Sequence, residues 1–131
     1  MAMDEADEKR LRCMIVDDNA GFLAAAKALL ERQGLEVVGV ASTSREATSL
    51  AGRLQPDVAL VDVVLGEESG FDLARRLAQD DRAGRTKVIL ISTYAEVDCG
   101  DLVEKSLAAA FLSKADLSGA AVRSVYDRAT A

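Results

Sequence analysis

Five side chains in this 131-residue sequence stand out because each falls at the end of a short apolar run and can do chemistry. Asp17 and Asp18 follow the run 11–16, Asp62 follows 58–61, Ser92 follows 88–91, and Lys114 follows 110–112 after Ser113. Three carboxylates brought together around one ammonium repel one another. Two like charges about 4 Å apart cost roughly 4 kcal/mol at an effective dielectric near 20. A hard divalent cation relieves that repulsion, and Mg²⁺ suits one or two carboxylates together with waters and substrate phosphate oxygens. With no His anywhere in the chain, oxygen ligation points to Mg²⁺, with Mn²⁺ as the alternative, and away from zinc. An exposed carboxylate beside such a metal can attack phosphorus and form an aspartyl-phosphate. Ser92 and Lys114 would then hold the equatorial phosphoryl oxygens, over which transition-state charge is spread.

Singly, each residue has a plainer role. An Asp-Asp pair after a strand is a common turn and helix cap. Ser92 fits a hydrogen-bonded strand end, Lys114 a solvated one, and Phe111, within Ala-Ala-Phe-Leu, a core position. Asp62 is harder to dismiss, because it interrupts the apolar stretch 58–65. The combination carries the functional argument, since all the groups fall at corresponding ends of their runs.

The elements that must position them follow from periodicity. Apolar runs at 11–16, 35–40, 58–61, 88–91 and 110–112 alternate five times with amphipathic stretches. Four runs are nearly continuous in apolar character, as strands buried on both faces are, and the second, the weakest, belongs at a sheet edge. Phe22, Ala26, Leu29 and Leu30 recur at helical spacing between an Asn19 cap and a Gly34 stop. Ala47, Leu50, Ala51 and Leu54 do so behind Thr43-Ser44-Arg45-Glu46, which has capping-box form, and Pro56 turns Gln55 away from helix. Phe71, Ala74, Leu77 and Ala78 form a third stripe led in by Ser69. The segment 96–106 is poorly patterned and contains Gly100. Ser118 caps the last helix, with Leu117 and Val122 spaced as a hydrophobic staple. Strand–helix alternation of this kind implies an α/β domain with a parallel sheet and right-handed crossovers. In such sheets ligands bind at the carboxyl ends of the strands, where the strand order reverses.

Composition narrows the function classes. The chain carries 22 Asp and Glu against 16 Lys and Arg, a net charge of −6, which argues against direct contact with nucleic acid or an anionic membrane surface. The lack of His removes imidazole catalysis and His-metal sites. Cys13 and Cys99 have no metal-type spacing and read as buried free thiols of a cytoplasmic protein. No apolar run approaches the roughly 18 residues of a membrane span. Residues 1–9, charged and mixed in sign, read as a disordered or expression-derived segment, and 10–131 as one domain.

The blocks Ile15-Val16-Asp17-Asp18-Asn19, Val58-Ala59-Leu60-Val61-Asp62, Val88-Ile89-Leu90-Ile91-Ser92 and Phe111-Leu112-Ser113-Lys114 together resemble the motifs of response-regulator receiver domains of two-component signalling. The resemblance covers roughly residues 10 to 129. It implies a flavodoxin-like (βα)5 doubly wound parallel sheet with strand order 2-1-3-4-5. It implies that Asp62 is the phosphoacceptor, and that Asp18 ligates Mg²⁺ directly and Asp17 largely through water. Asp62 and the Val64 carbonyl would complete the protein ligands. Ser92 matches the hydroxyl switch, Lys114 the phosphate-binding lysine, and Phe111 the aromatic switch position. The face around the fourth helix, fifth strand and fifth helix is the implied response surface, through which a homodimer could also form. Such a protein takes its phosphoryl group from a sensor histidine kinase or a phosphotransfer protein. It catalyses its own aspartyl phosphorylation and dephosphorylation, but it is a signalling receiver and not an enzyme.

The chain departs from the family at two prolines. Gly66 stands four residues after the phosphoacceptor, which predicts a looser loop over 65–70. Ala115 follows the lysine, and the run 113–118 resembles regulators with a helix-turn-helix output. No DNA-binding domain is expected within these residues. The protein is either a single-domain regulator acting through a downstream protein partner or the receiver of a longer transcription regulator whose output domain is missing. The main alternative is a pseudo-receiver, an interaction module not controlled by phosphorylation. A haloacid-dehalogenase-type phosphatase would want a second Asp where Val64 stands, and a flavodoxin would want a phosphate-cradling loop after the first strand.

Val64 and Tyr94 lie two residues after the phosphoacceptor and the hydroxyl switch, where the family tunes access of the hydrolytic water. An apolar side chain and a bulky ring there predict slow self-dephosphorylation. Replacing Val64→Asn together with Tyr94→Ala should shorten the phospho-state lifetime under Mg²⁺. Phosphoprotein decay measured by intact mass tests this, and an unchanged or longer lifetime refutes it.

Overall fold

The structure is a computed structural model that describes residues 10–80, 85–93 and 100–131. Five strands, β1 (Arg12–Val16), β2 (Glu36–Ala41), β3 (Val58–Asp62), β4 (Lys87–Ser92) and β5 (Ala110–Ser113), pair in parallel in the order 2-1-3-4-5. Between and after them run α1 (Ala20–Arg32), α2 (Ser44–Leu54), α3 (Gly70–Gln79), α4 (Gly100–Lys105) and α5 (Gly119–Thr130). The alternation of apolar runs and helical stripes implies an α/β domain with a parallel sheet, and the family resemblance its flavodoxin-like strand order; the structure has both.

The sheet separates two cores. Strand side chains alternate between the faces, so Met14 and Val16 point with Ala59, Val61 and Leu90 toward α2 and α3. There they meet Ala47, Ala51, Leu73, Ala74 and Leu77. Cys13 and Ile15 point with Leu60, Ile89 and Ile91 toward α1 and α5, against Ala26, Leu30, Val122 and Val125. β1 and β3 are central and almost wholly buried, which accounts for their unbroken apolar runs. Each fully buried Leu or Ile contributes about 1.5–3 kcal/mol relative to exposure. β2 is an edge strand, as its weaker pattern suggested. β5 forms the other edge and is only half-buried at all four positions, although its run reads as continuously apolar. Cys13 is a buried free thiol, its pKa pushed up to about 12 by burial first and by the Asp57 charge second. Cys99 lies outside the described residues. Among the described residues no helix is long and apolar enough to cross a membrane.

The caps form where their residue types predict. Asn19 Oδ1 accepts the Phe22 N–H at 2.9 Å, Thr43 Oγ1 the Glu46 N–H at 3.1 Å, and Ser118 Oγ the Ala121 N–H at 3.0 Å. Leu117 and Val122 are both buried in the α1–α5 core, completing the staple. The Glu46 carboxylate reaches back to the N–H and hydroxyl of Ser42, one residue earlier than in the standard capping box. Gln55 leaves the helix, but for the left-handed region (φ 48°) and not the extended one usual before proline. Its N–H still bonds to the Ala51 carbonyl, and its own carbonyl accepts from Arg12 Nη1. The weakly patterned segment 96–106 yields only the six-residue α4, and residues 94–99 lie outside the described set.

The loop over 65–70 is not the loose connection that Gly66 suggested. Val64–Leu65 pairs antiparallel with Glu68–Ser69 in a tight hairpin. Gly66 sits at its turn with φ 59°, a conformation glycine adopts at little cost. The hairpin is pinned on both sides: Gly66 N–H donates to Asp18 Oδ2 at 2.9 Å, and Glu68 Oε1 accepts the Ser44 N–H at 2.9 Å. Closing the hairpin brings Gly70 against the end of β3, where its N–H bonds to the Val63 carbonyl. A Cβ at Gly70 would lie 1.9 Å from the Asp62 carbonyl oxygen and 2.8 Å from Val63 Cα. Backbone atoms cannot step aside as a side chain can. Gly70→Ala should therefore destabilise the fold by more than about 2 kcal/mol. A fall in the urea-unfolding midpoint at unchanged slope is the expected result.

Candidate functional site

Parallel strands end on the same edge, and that is where β1, β3, β4 and β5 deliver Asp17, Asp62, Ser92 and Lys114. A cavity of about 420 Å³ opens there, lined among others by Asp17, Asp18, Asp62, Val64, Ser92 and Lys114. Asp17, Asp62 and Ser92 are buried, whereas Asp18 is exposed. The five groups singled out by type and spacing therefore share one site.

Lys114 opens the single turn of 3-10 helix (Lys114–Asp116) that follows β5, whose first free N–H, at Ala115, is capped by Ser113 Oγ. From there its ammonium lies 2.6 Å from Asp17 Oδ2 and 3.0 Å from Asp62 Oδ2. The side chain is only 17% exposed, so the pair is far less screened than a surface salt bridge. Burial works to lower the Lys114 pKa, but the two carboxylates outweigh it and hold the group above its ordinary value. Burial pushes the Asp17 carboxyl above the usual carboxylate range and Asp62 adds to the rise, against the opposing pull of Lys114 and the Asn19 N–H.

Each carboxylate is also oriented by backbone. Asp17 Oδ1 accepts the Asn19 N–H at 2.9 Å, Asp62 Oδ1 the Val64 N–H at 3.0 Å, and Asp18 Oδ2 the Gly66 N–H. Asp17 Oδ2 is buried and, although ion-paired with Lys114, completes no well-aligned hydrogen bond. One carboxylate oxygen from each of Asp17, Asp18 and Asp62 lies within 4.8 Å of the other two. Three convergent carboxylates with a single ammonium among them, and a buried oxygen short of a hydrogen bond, fit a hard divalent cation.

Val64, expected to shield an attached group from water, lines the cavity and is 60% exposed. Tyr94, its expected partner in that role, lies outside the described residues. Phe111 is half-buried and packs against the α2–α3 core. Two contributors were not anticipated as such. Phe22, read only as part of the α1 stripe, places its ring 4.1 Å from Lys114 Nζ. Gly66, read as a source of looseness, holds Asp18. The signal for Phe22 was its place three residues after the Asn19 cap, on the helix turn nearest the Asp-Asp pair. For Gly66 it was the N–H that a proline would lack.

Comparison with known proteins agrees with this geometry. Residues 13–119 match the model of the response regulator receiver domain. The protein-glutamate methylesterase/protein-glutamine glutaminase of Alkalilimnicola ehrlichii is 32% identical over 115 residues, covering 84% of this chain and 29% of that protein. The chain thus spans less than a third of that relative's length. The polar-differentiation response regulator DivK of Brucella anthropi is 30% identical over 101 residues, covering 77% of this chain and 81% of that protein. A response regulator protein from Burkholderia pseudomallei, solved with a phosphorylated aspartic acid, calcium ion and citrate, is 26% identical. It superposes with a TM-score of 0.76 over 88% of this chain and 66% of that one. With the match running from β1 into the start of α5 and so enclosing every residue of the rim, the chain belongs to the response regulator receiver domain family.

Proposed function

We propose that this receiver accepts a phosphoryl group on Asp62 and signals through the change that follows. Receiver domains are signalling modules that work with histidine kinases, phosphotransfer proteins and downstream partners. The observation that carries the reading is Lys114 bridging Asp17 and Asp62 at a rim where three carboxylates converge. Asp17, Asp18, Asp62 and the Val64 carbonyl are the groups that would hold Mg²⁺. The bound cation would neutralise charge on the phosphoryl oxygens as they pass between donor and acceptor.

The chain's own residues supply the rest. Asp62 is the nucleophile: one carboxylate oxygen forms the new bond to phosphorus while the bond to the donor's imidazole nitrogen breaks, and that nitrogen keeps the electron pair. The Val64 N–H holds the Asp62 carboxylate in a fixed orientation, which removes rotational freedom before the encounter. Lys114, already 3.0 Å from Asp62, needs only a short shift to meet a phosphoryl oxygen. Ser92, buried on the same rim, supplies a hydroxyl to another of them and, by moving, communicates occupancy toward Phe111 and the α4–β5–α5 face. That face then differs in affinity for a partner between the two states. The donor is a sensor histidine kinase or phosphotransfer protein, and the output is a downstream protein partner or a domain attached to the receiver. A cytoplasmic location and dimerisation through the switch face belong to the same proposal.

Intact-mass spectrometry after incubation with acetyl phosphate tests the chemistry. One Mg²⁺-dependent phosphoryl adduct is expected, absent from Asp62→Asn. No adduct, together with no NMR response of the Asp62 neighbourhood to beryllofluoride, would move the protein to the pseudo-receiver alternative.

Metal binding has its own signature. Mg²⁺ in excess over its dissociation constant should raise Tm, by the linkage that adds about 2.7 kcal/mol at a hundredfold excess. Asp17→Asn should abolish this response. Because the folded Asp17 pKa is raised, its charge penalises the fold only above the ordinary carboxylate pKa. The metal-free Asn variant should accordingly gain Tm relative to wild type as pH rises through that range, and show no gain below it.

A further inference from the structure

We infer that Phe22 is a positioning residue for Lys114, its ring forming a fixed seat on which the ammonium turns as its carboxylate partners change. The inference rests on the phosphoacceptor reading of Asp62 and goes beyond it to a residue that neither reacts nor ligates.

The ammonium has three donors. One donates to Asp62 Oδ2, Asp17 Oδ2 is held as an ion-pair partner at 2.6 Å, and the Phe22 ring centroid lies 4.1 Å from Nζ. A cation within about 6 Å of an aromatic face is attracted by the ring quadrupole, more strongly where water is excluded. At 17% exposure the Lys114 side chain is largely desolvated.

The ring is itself held in place. Asp17 Oδ1 accepts the Asn19 N–H, Asn19 Oδ1 accepts the Phe22 N–H, and the Phe22 ring meets the Lys114 ammonium, which returns to Asp17 Oδ2. Four residues thus close a circuit, and the start of α1 cannot shift without moving the lysine. Beneath it, Phe22 packs on the α1–α5 core.

The ring differs from the other two partners in kind. Asp17 and Asp62 change charge or occupancy when a cation or a phosphoryl group arrives, whereas the ring offers the same attraction throughout. It can therefore keep Nζ over the rim while the Asp62 contact is exchanged for a phosphoryl oxygen.

The test uses the full chain with Phe22→Leu, Phe22→Tyr and Phe22→Trp. In metal-free wild-type protein the Lys114 ε-methylene protons should be shifted upfield by the ring current, and in Phe22→Leu that shift should vanish. With saturating Mg²⁺ and acetyl phosphate, Phe22→Leu should lower the maximal phosphorylation rate about 2- to 30-fold, with little change in the acetyl phosphate concentration at half-maximal rate. Phe22→Tyr and Phe22→Trp should restore the rate to within about twofold, because they restore the π face. Equal rates in wild type and Phe22→Leu overturn the proposal, and so does equal slowing in all three variants, which marks a packing role alone. Should Phe22→Leu not fold, Phe22→Met takes its place against Phe22→Tyr with the same expected ordering. If wild-type protein takes no phosphoryl group, the phosphoacceptor reading fails. The ring-current measurement then still decides the Phe22–Lys114 contact, and its absence overturns the inference separately.

Discussion

Three carboxylates lying within 4.8 Å of one another repel, and the design of the molecule can be read as the means of holding them there. A single ammonium, Lys114, touches two of them, and backbone N–H groups at Asn19, Val64 and Gly66 each take one oxygen. The parallel sheet makes this possible. Because β1, β3 and β5 run the same way, their ends fall on one edge, and the paired registers of Val16 with Val61 and of Ser92 with Ser113 keep those ends level. Central strands buried on both faces leave the chain little freedom to relax by spreading apart. The repulsion is thus contained by the core, and the site keeps its shape without a bound group.

The hairpin after β3 adds a second constraint. Its turn residue holds Asp18 through a backbone N–H, while Glu68 on its return strand holds the first turn of α2 at Ser44. A proline at position 66 could form no such bond. Asp18 and the start of α2 are therefore linked through three residues of backbone, Gly66 to Glu68, on the side of the sheet away from α5.

Most of the fold was legible because local and global signals agreed. Asn19, Thr43, Ser69 and Ser118 cap the helices they precede, and the edge position of β2 follows from its weaker apolar pattern. The site was legible for a related reason: a polar residue ending an apolar run is conspicuous, and topology gathers such ends. What escaped reading depended on contacts between distant segments. Nothing near Gly66 in sequence announces Asp18, 48 residues away, so its freedom looked like looseness when it served a tight turn. Phe22 satisfied the helical stripe, and a residue with a sufficient packing role gives no sign of a second one. The continuous apolar character of β5 likewise gave no sign that its four positions are only half-buried, since exposure at an edge is set by what packs beside the strand.

Lys114 and Asp62 are 52 residues apart, and each further partner of the cluster comes from another strand end or loop. No fragment of the chain holds the constellation. A partly folded population, one lacking β5 for example, keeps its aspartates but not their arrangement. Loss of any one strand end is therefore enough to dismantle the cluster, and the arrangement persists only while the whole sheet is assembled.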